Sequence, residues 1–166
     1  MSTALARAHL AALRIYRRLP VKARRRVVRT IAPAYTVGAI CVIGRDDRSV
    51  LLVRLTYRNS WGLPGGLLKR GEAPEEAALR EVKEESTLDV ELLGDPAVVV
   101  DPTARRVDVV FQAGLPPGVD PRDAVASSPE IVEVGWFAED QLPDLQHEAS
   151  SAMVALARRR VVPPAD

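Results

Sequence analysis

The sequence has one cysteine, Cys41, so an internal disulfide is excluded. A reducing, intracellular and cytoplasmic setting is the simpler expectation, with Cys41 a small buried residue inside the apolar run YTVGAICVI. No stretch approaches the ~18 apolar residues of a membrane span. The start lacks a continuous apolar segment before a cleavage site, which argues against a secretory signal. There are no internal repeats. Aromatic residues make up only 4% of the chain, so each is a notable candidate for base stacking. Acidic residues are missing altogether from residues 1–33, which hold nine of the basic ones. The net charge of +1 therefore conceals a basic start joined to an acidic remainder.

The rest is ordinary for a globular protein. At 166 residues, 47% hydrophobic and 27% charged, the chain is long enough for one domain with a proper core. Apolar residues recur at helical spacing from Leu5 to Leu19, in a basic amphipathic helix that Pro20 closes. A second basic piece, VKARRRVVRTI, ends at Pro33. The pattern then turns β-branched. Runs at 35–44 and 49–56 flank GRDDR and signal a hairpin. WGLPGG (61–66) reads as a loop or short strand. Further strands are expected at 88–93, 97–100, 105–115 and 131–137, with a loop over 116–130 and a helix from about Leu145. This order suggests an α/β domain, 34–166, with a mixed central sheet sandwiched by helices, behind a basic helical extension, 1–33.

Residues 74–86 are helical in pattern, with Pro74 in the first turn and Glu75 and Glu76 where the helix dipole favours negative charge. Five glutamates fall between Glu75 and Glu85. At about 100° per residue, Glu81, Glu84 and Glu85 share one arc at the edge of a core-facing stripe of Ala78, Leu79 and Val82. Arg80 falls on the solvent side. Like charges at that spacing repel, and burial makes the repulsion worse. A hard divalent cation reverses it, since Mg²⁺ prefers oxygen ligands. Gly65 and Gly66 just upstream allow close approach of a backbone carbonyl or a substrate. A carboxylate-rich metal site beside a glycine loop suits phosphoryl transfer or diphosphate hydrolysis.

The same stretch resembles the Nudix box, G-x5-E-x7-R-E-U-x-E-E-x-G-U, where U is a bulky aliphatic. It reads Gly66, Glu72, Arg80, Glu81, Val82, Glu84, Glu85 and Leu88. Thr87 stands where the family has glycine, and threonine resists the left-handed helix cap that glycine permits. The resemblance implies an α/β/α sandwich and a pyrophosphohydrolase that cleaves a nucleoside diphosphate derivative with Mg²⁺ or Mn²⁺. It implies Glu81, Glu84 and Glu85 as metal ligands, with the Gly65 carbonyl as a further one. Gly66, Glu72 and Arg80 would orient the loop and helix. A metal-activated water would attack phosphorus. For its general base Glu81 and Glu130, the latter on the 116–130 loop, stand as alternatives, and Glu84 is a further catalytic candidate. Tyr57 and Trp61 would stack on a base or pack in the core, and Arg105 and Arg106 would reach a phosphate or merely open a strand. The alternative is a Nudix-like module that binds a nucleotide without cleaving it. Partner expectations are a nucleotide substrate, a homodimer, and, through residues 1–33, anionic lipid (peripheral membrane association) or nucleic acid. A helix simply packed on the domain is the bland counterpart of that last expectation.

Overall fold

The computed structural model describes residues 3–161, so the ends of both expected regions, 1–2 and 162–166, lie outside it. The chain divides into two compact units, Met1–Tyr35 and Thr36–Asp166. The first unit holds helices α1 (Thr3–Arg18) and α2 (Val21–Ile31). The Ala-, Leu- and Arg-rich sequence of α1 has high helix propensity. Pro20 cannot donate to the turn before it, so it breaks the first helix and opens the second, accepting from Arg24 N–H at 3.0 Å. Helix α2 ends because Ala32 precedes Pro33 and is driven to extended backbone, φ −82° and ψ 142°.

The second unit contains β1 (Thr36–Ile43), β2 (Ser49–Leu55), β3 (Trp61–Gly62), β4 (Gly65–Leu67), α3 (Pro74–Ser86), β5 (Glu91–Asp101), β6 (Arg106–Gly114), β7 (Ile131–Ala138) and α4 (His147–Val161). The strands form two sheets, in the orders β4-β1-β6-β5 and β3-β2-β7. In the first sheet β1 runs parallel to β6 and antiparallel to β4, so that sheet is mixed.

The expected hairpin between the first two strands does not form. β1 and β2 enter different sheets, and their runs meet only at the turn, where Gly44, just past β1, bridges Val50 and Arg45 N–H donates to Ser49 O at 3.0 Å. Five consecutive residues of β2, Ser49–Val53, are buried. A strand covered on both faces reads as a continuous apolar run, and such a run does not reveal its partner. The two strands expected at 88–93 and 97–100 are one strand, β5, whose register shifts between Leu93 and Ala97. Gly94, with φ 64°, and Pro96, which lacks an N–H, place a bulge there.

Alternation along β1 shows how the layers stack. Ala39, Cys41 and Ile43 join Leu51 and Phe111 against Ala77, Ala78 and Val82 of α3. Ile40 points the other way, with Val50, Leu52 and Val110, against Ala149, Ala152 and Leu156 of α4. Apolar side chains thus fill both faces, and α3 and α4 cover them as the outer layers of an α/β/α sandwich. Cys41 is fully buried, and burial, helped by the charge of Glu85, pushes its thiol up to about 12.

Candidate active site

Helix α3 sets the site. Its buried arc carries Ala77, Ala78, Val82, Glu85 and Ser86, while Leu79 is 40% exposed. The core-facing stripe is therefore rotated from the expected one, and Glu85 lies inside it rather than at its edge, at only 9% exposure. The cause is β4, which packs on that side: Gly65 N–H donates to Glu85 Oε2 at 3.0 Å. A Cβ at Gly65 would run into the Ala39 carbonyl oxygen and come within 2.9 Å of Ile40 Cα. A Cβ at Gly66 would meet the Glu81 carboxylate. The two glycines keep β4 tight against β1 and leave room for the glutamates.

Arg80 does not lie in solvent as expected. It folds back over the 67–72 loop and grips Glu72 with two bonds, Nε to Oε1 at 2.6 Å and Nη2 to Oε2 at 2.9 Å. Glu72 also accepts from Lys69 N–H at 2.7 Å. The Arg80 bond, then the Lys69 bond, hold the Glu72 carboxyl down at about 2, and the pair holds Arg80 firmly protonated. From this anchored position Arg80 Nη1 donates to Glu81 at 2.7 Å and to Glu84 at 3.2 Å. Lys69 Nζ lies 3.5 Å from Glu84. Among the described residues no three acidic side chains are gathered into a ready-made cation cage, because Arg80 holds the tips of Glu81 and Glu84.

The C-terminus of α3 is built into the site by the 116–130 loop. Helices leave their last carbonyls without partners. Here Ser127 Oγ donates to Glu84 O at 2.6 Å, and Val125 N–H to Ser86 O at 3.0 Å. Thr87 does take the left-handed cap, with φ 64°, and its hydroxyl donates to Asp123 O at 2.7 Å. That bond offsets the strain glycine would have avoided. Thr87→Gly should therefore leave stability within about 0.5 kcal/mol, whereas Thr87→Val, which keeps the strain and loses the bond, should lose about 1–2 kcal/mol. Urea unfolding of the two variants checks the contrast. The docked loop delivers Glu130, whose carbonyl accepts from Thr56 N–H at 2.8 Å, to the same opening.

That opening is a cleft of about 520 Å³, lined among others by Gly65, Gly66, Lys69, Arg80, Glu81, Glu84, Glu85 and Glu130. Tyr57 lines it too, but Trp61 and Arg105 do not. Trp61 packs edge-to-face on Phe137, centroids 4.7 Å apart, because β3 pairs with β2 and turns that ring into the core. Arg105 sits in the β5–β6 turn at φ 50°, and its neighbour Arg106 reaches the cleft instead, held by Asp108 at 2.7 Å. Arg58, Gln146 and Glu148 also line the cleft. They are scattered along the sequence, and no local spacing pointed to them.

Burial pushes the Glu85 carboxyl up to about 8. The Gly65 bond opposes this, and the charges of Glu81, Glu130 and Glu84 add to it. A buried carboxylate crowded by like charges, beside half-exposed Glu84, is a donor set that suits a hard divalent cation. The pH consequence has a definite sign. Without such a cation the fold keeps the Glu85 proton, while the unfolded chain releases it near 4.5. The resulting stabilisation is complete below 4.5 and is lost as pH rises to about 8. The depressed carboxyls, Glu72, Asp47 and Asp120, act below that window. Melting in chelator should therefore fall between about pH 5 and pH 8, and Mg²⁺ should raise it more at the alkaline end. A flat profile with chelator would contradict the burial argument.

A family model described as NUDIX domain matches residues 33–157. The chain is 31% identical over 119 residues to a "MutT-like protein" of Streptomyces ambofaciens, covering 72% of this chain and 74% of that one. It is 30% identical over 109 residues to a "Putative 8-oxo-dGTP diphosphatase" of Bacillus subtilis strain 168, covering 66% and 70%. Among solved structures, an ADP-ribose pyrophosphatase from Streptococcus suis 89-1591 superposes with a TM-score of 0.61 at 27% identity. That superposition covers 78% of this chain and 94% of that one.

Proposed function

This chain belongs to the Nudix family of pyrophosphohydrolases, and from that membership we propose that it cleaves the diphosphate linkage of a nucleoside diphosphate derivative. The observation that carries this reading is the convergence of Glu81, Glu84, Glu85 and Glu130 on one cleft, with Glu85 buried. Glu81, Glu84, Glu85 and the Gly65 carbonyl would hold Mg²⁺ or Mn²⁺. A cation bound there offsets the charge of the diphosphate and makes water easier to deprotonate.

The chain's own residues supply the rest. Arg80, anchored on Glu72, keeps Glu81 and Glu84 facing the cleft and shields them from each other. Lys69, Arg58 and Arg106 place positive charge along the cleft wall, where phosphate oxygens can take up N–H donors. Tyr57, 67% exposed at the rim, offers a ring to a base. Glu130 takes the proton of the attacking water. Among the described residues it makes no ion pair, whereas Glu81 already accepts from Arg80. A general base needs a free lone pair within reach of the water.

The test is a panel of nucleoside triphosphates, ADP-ribose, NADH, diadenosine polyphosphates, CoA and nucleotide sugars, incubated with Mg²⁺ and resolved by product. The expected result is one compound split at its diphosphate and protected by chelator. A compound that raises the melting temperature but is never cleaved would favour a nucleotide-binding module instead. For the named substrate, Glu130→Gln should lower kcat by roughly a hundredfold or more with KM little changed. A Glu130→Gln protein that keeps its kcat would remove Glu130 as the base.

A further inference from the structure

The cleft residues named above all come from the second unit. Residues 1–33 carry eight arginines, one lysine and no acid. We propose that α1 and α2 form an interfacial anchor that lays this chain on an anionic lipid bilayer.

The two helices are segregated in the same way. At 3.6 residues per turn, Leu5, Leu13, Ile15 and Tyr16 of α1 fall on one side, and Arg7, Arg14, Arg17 and Arg18 fall within roughly 100° on the other. Leu10 alone strays among the arginines. In α2, Val21, Val27, Val28 and Ile31 share a side opposite Lys22, Arg25, Arg26 and Arg29. Both apolar sides are open. Ile15 is 66% and Ile31 77% exposed, and α2 has no buried residue.

Charge decides the occupant. A second copy would bring an equally basic pair of helices against this one, and like charges oppose that association. A nucleic acid would neutralise the arginines and leave the apolar sides in water. An anionic bilayer satisfies both, taking apolar residues at the acyl boundary and arginines at the headgroups. A groove formed by Tyr16 of α1 with Val21, Arg24 and Val28 of α2 adds a second observation. Arg24 lies on the apolar side of α2, and its Nε is buried with no hydrogen-bond partner among the described residues. The rest of the Arg24 side chain lines that groove, where a lipid phosphate can pair with its charge. No described helix is long and apolar enough to cross a membrane, which matches an anchor lying in the interface.

The test floats the full chain with vesicles of phosphatidylcholine alone or mixed with phosphatidylglycerol. The chain should float with the mixed vesicles and stay behind with the neutral ones. Ile15→Asp should cut the bound fraction roughly tenfold or more. The double variant Arg25→Ala/Arg29→Ala should cut it by about 25-fold. Both substitutions lie on exposed helix faces, so both proteins should melt as the wild type does. Equal binding to the two vesicle types, no binding at all, or binding indifferent to Ile15→Asp would overturn the anchor. So would a chain that ignores vesicles but binds a short RNA duplex, or one that dimerises through α1.

Discussion

Glu85→Gln should lower kcat/KM by roughly a thousandfold or more while leaving the protein folded. The side chains are nearly the same size. Glu85 is buried, and its oxygen accepts from Gly65 N–H, a bond a glutamine carbonyl can also accept. The change removes a charge that the fold tolerates poorly, since burial and the neighbouring Glu81, Glu130 and Glu84 already push that carboxyl up to about 8. In chelator the variant should melt no lower than the wild type at pH 8, and its melting should depend less on pH. Stability held or gained with activity lost separates a functional charge from a structural one. A variant that loses stability in chelator at pH 8 would instead make Glu85 a structural acid.

Gly65→Ala and Gly66→Ala should fail in different ways. At Gly65 the added methyl meets backbone, the Ala39 carbonyl and Ile40 Cα, and neither can swing aside. β4 must then leave β1, breaking the Ile40–Gly65 pairing and the Cys41 N–H bond to Pro64 O at 2.9 Å. A loss of about 3 kcal/mol is expected, roughly 10 °C in melting temperature. At Gly66 the three atoms nearest the methyl all belong to the Glu81 carboxylate, the far end of a flexible side chain. Stability should change by less than about 1 kcal/mol, while activity drops on the order of tenfold to a hundredfold as Glu81 is displaced. Thermal melts and rates on both variants check the split, and a reversed pattern would remove the two glycines from the roles assigned to them.

What the sequence made legible follows from how local each feature is. Glu81, Glu84 and Glu85 sit on one helix, and their spacing alone brings them to one arc. The fold-back of Arg80 onto Glu72 and the rotation of the stripe toward Glu85 were missed. That rotation is set by β4, whose contact with α3 is tertiary. The partner of β1 was misread for the same reason. Its run is apolar on both faces, and the strand it joins in parallel, β6, begins at Arg106, far along the chain. Glu130 was legible as a candidate, but the bonds that bring it in were not. Ser127 and Val125 look like ordinary loop residues until they cap α3. Trp61 and Arg105 show the limit of residue type as a guide. Of the paired candidates, Tyr57 and Arg106 line the cleft and Trp61 and Arg105 do not, because strand pairing and turn geometry decide which side chain faces inward.

The measurement closest to the central claim is a Mn²⁺ titration of the protein followed by electron paramagnetic resonance, with Glu85→Gln alongside. The glutamate cleft predicts bound Mn²⁺ in the wild type, tighter at pH 8 than at pH 6, and a loss of affinity of at least roughly tenfold in the variant. Equal Mn²⁺ binding by both proteins, or none by either at millimolar metal, would contradict the claim that these carboxylates form the cation site on which diphosphate cleavage depends.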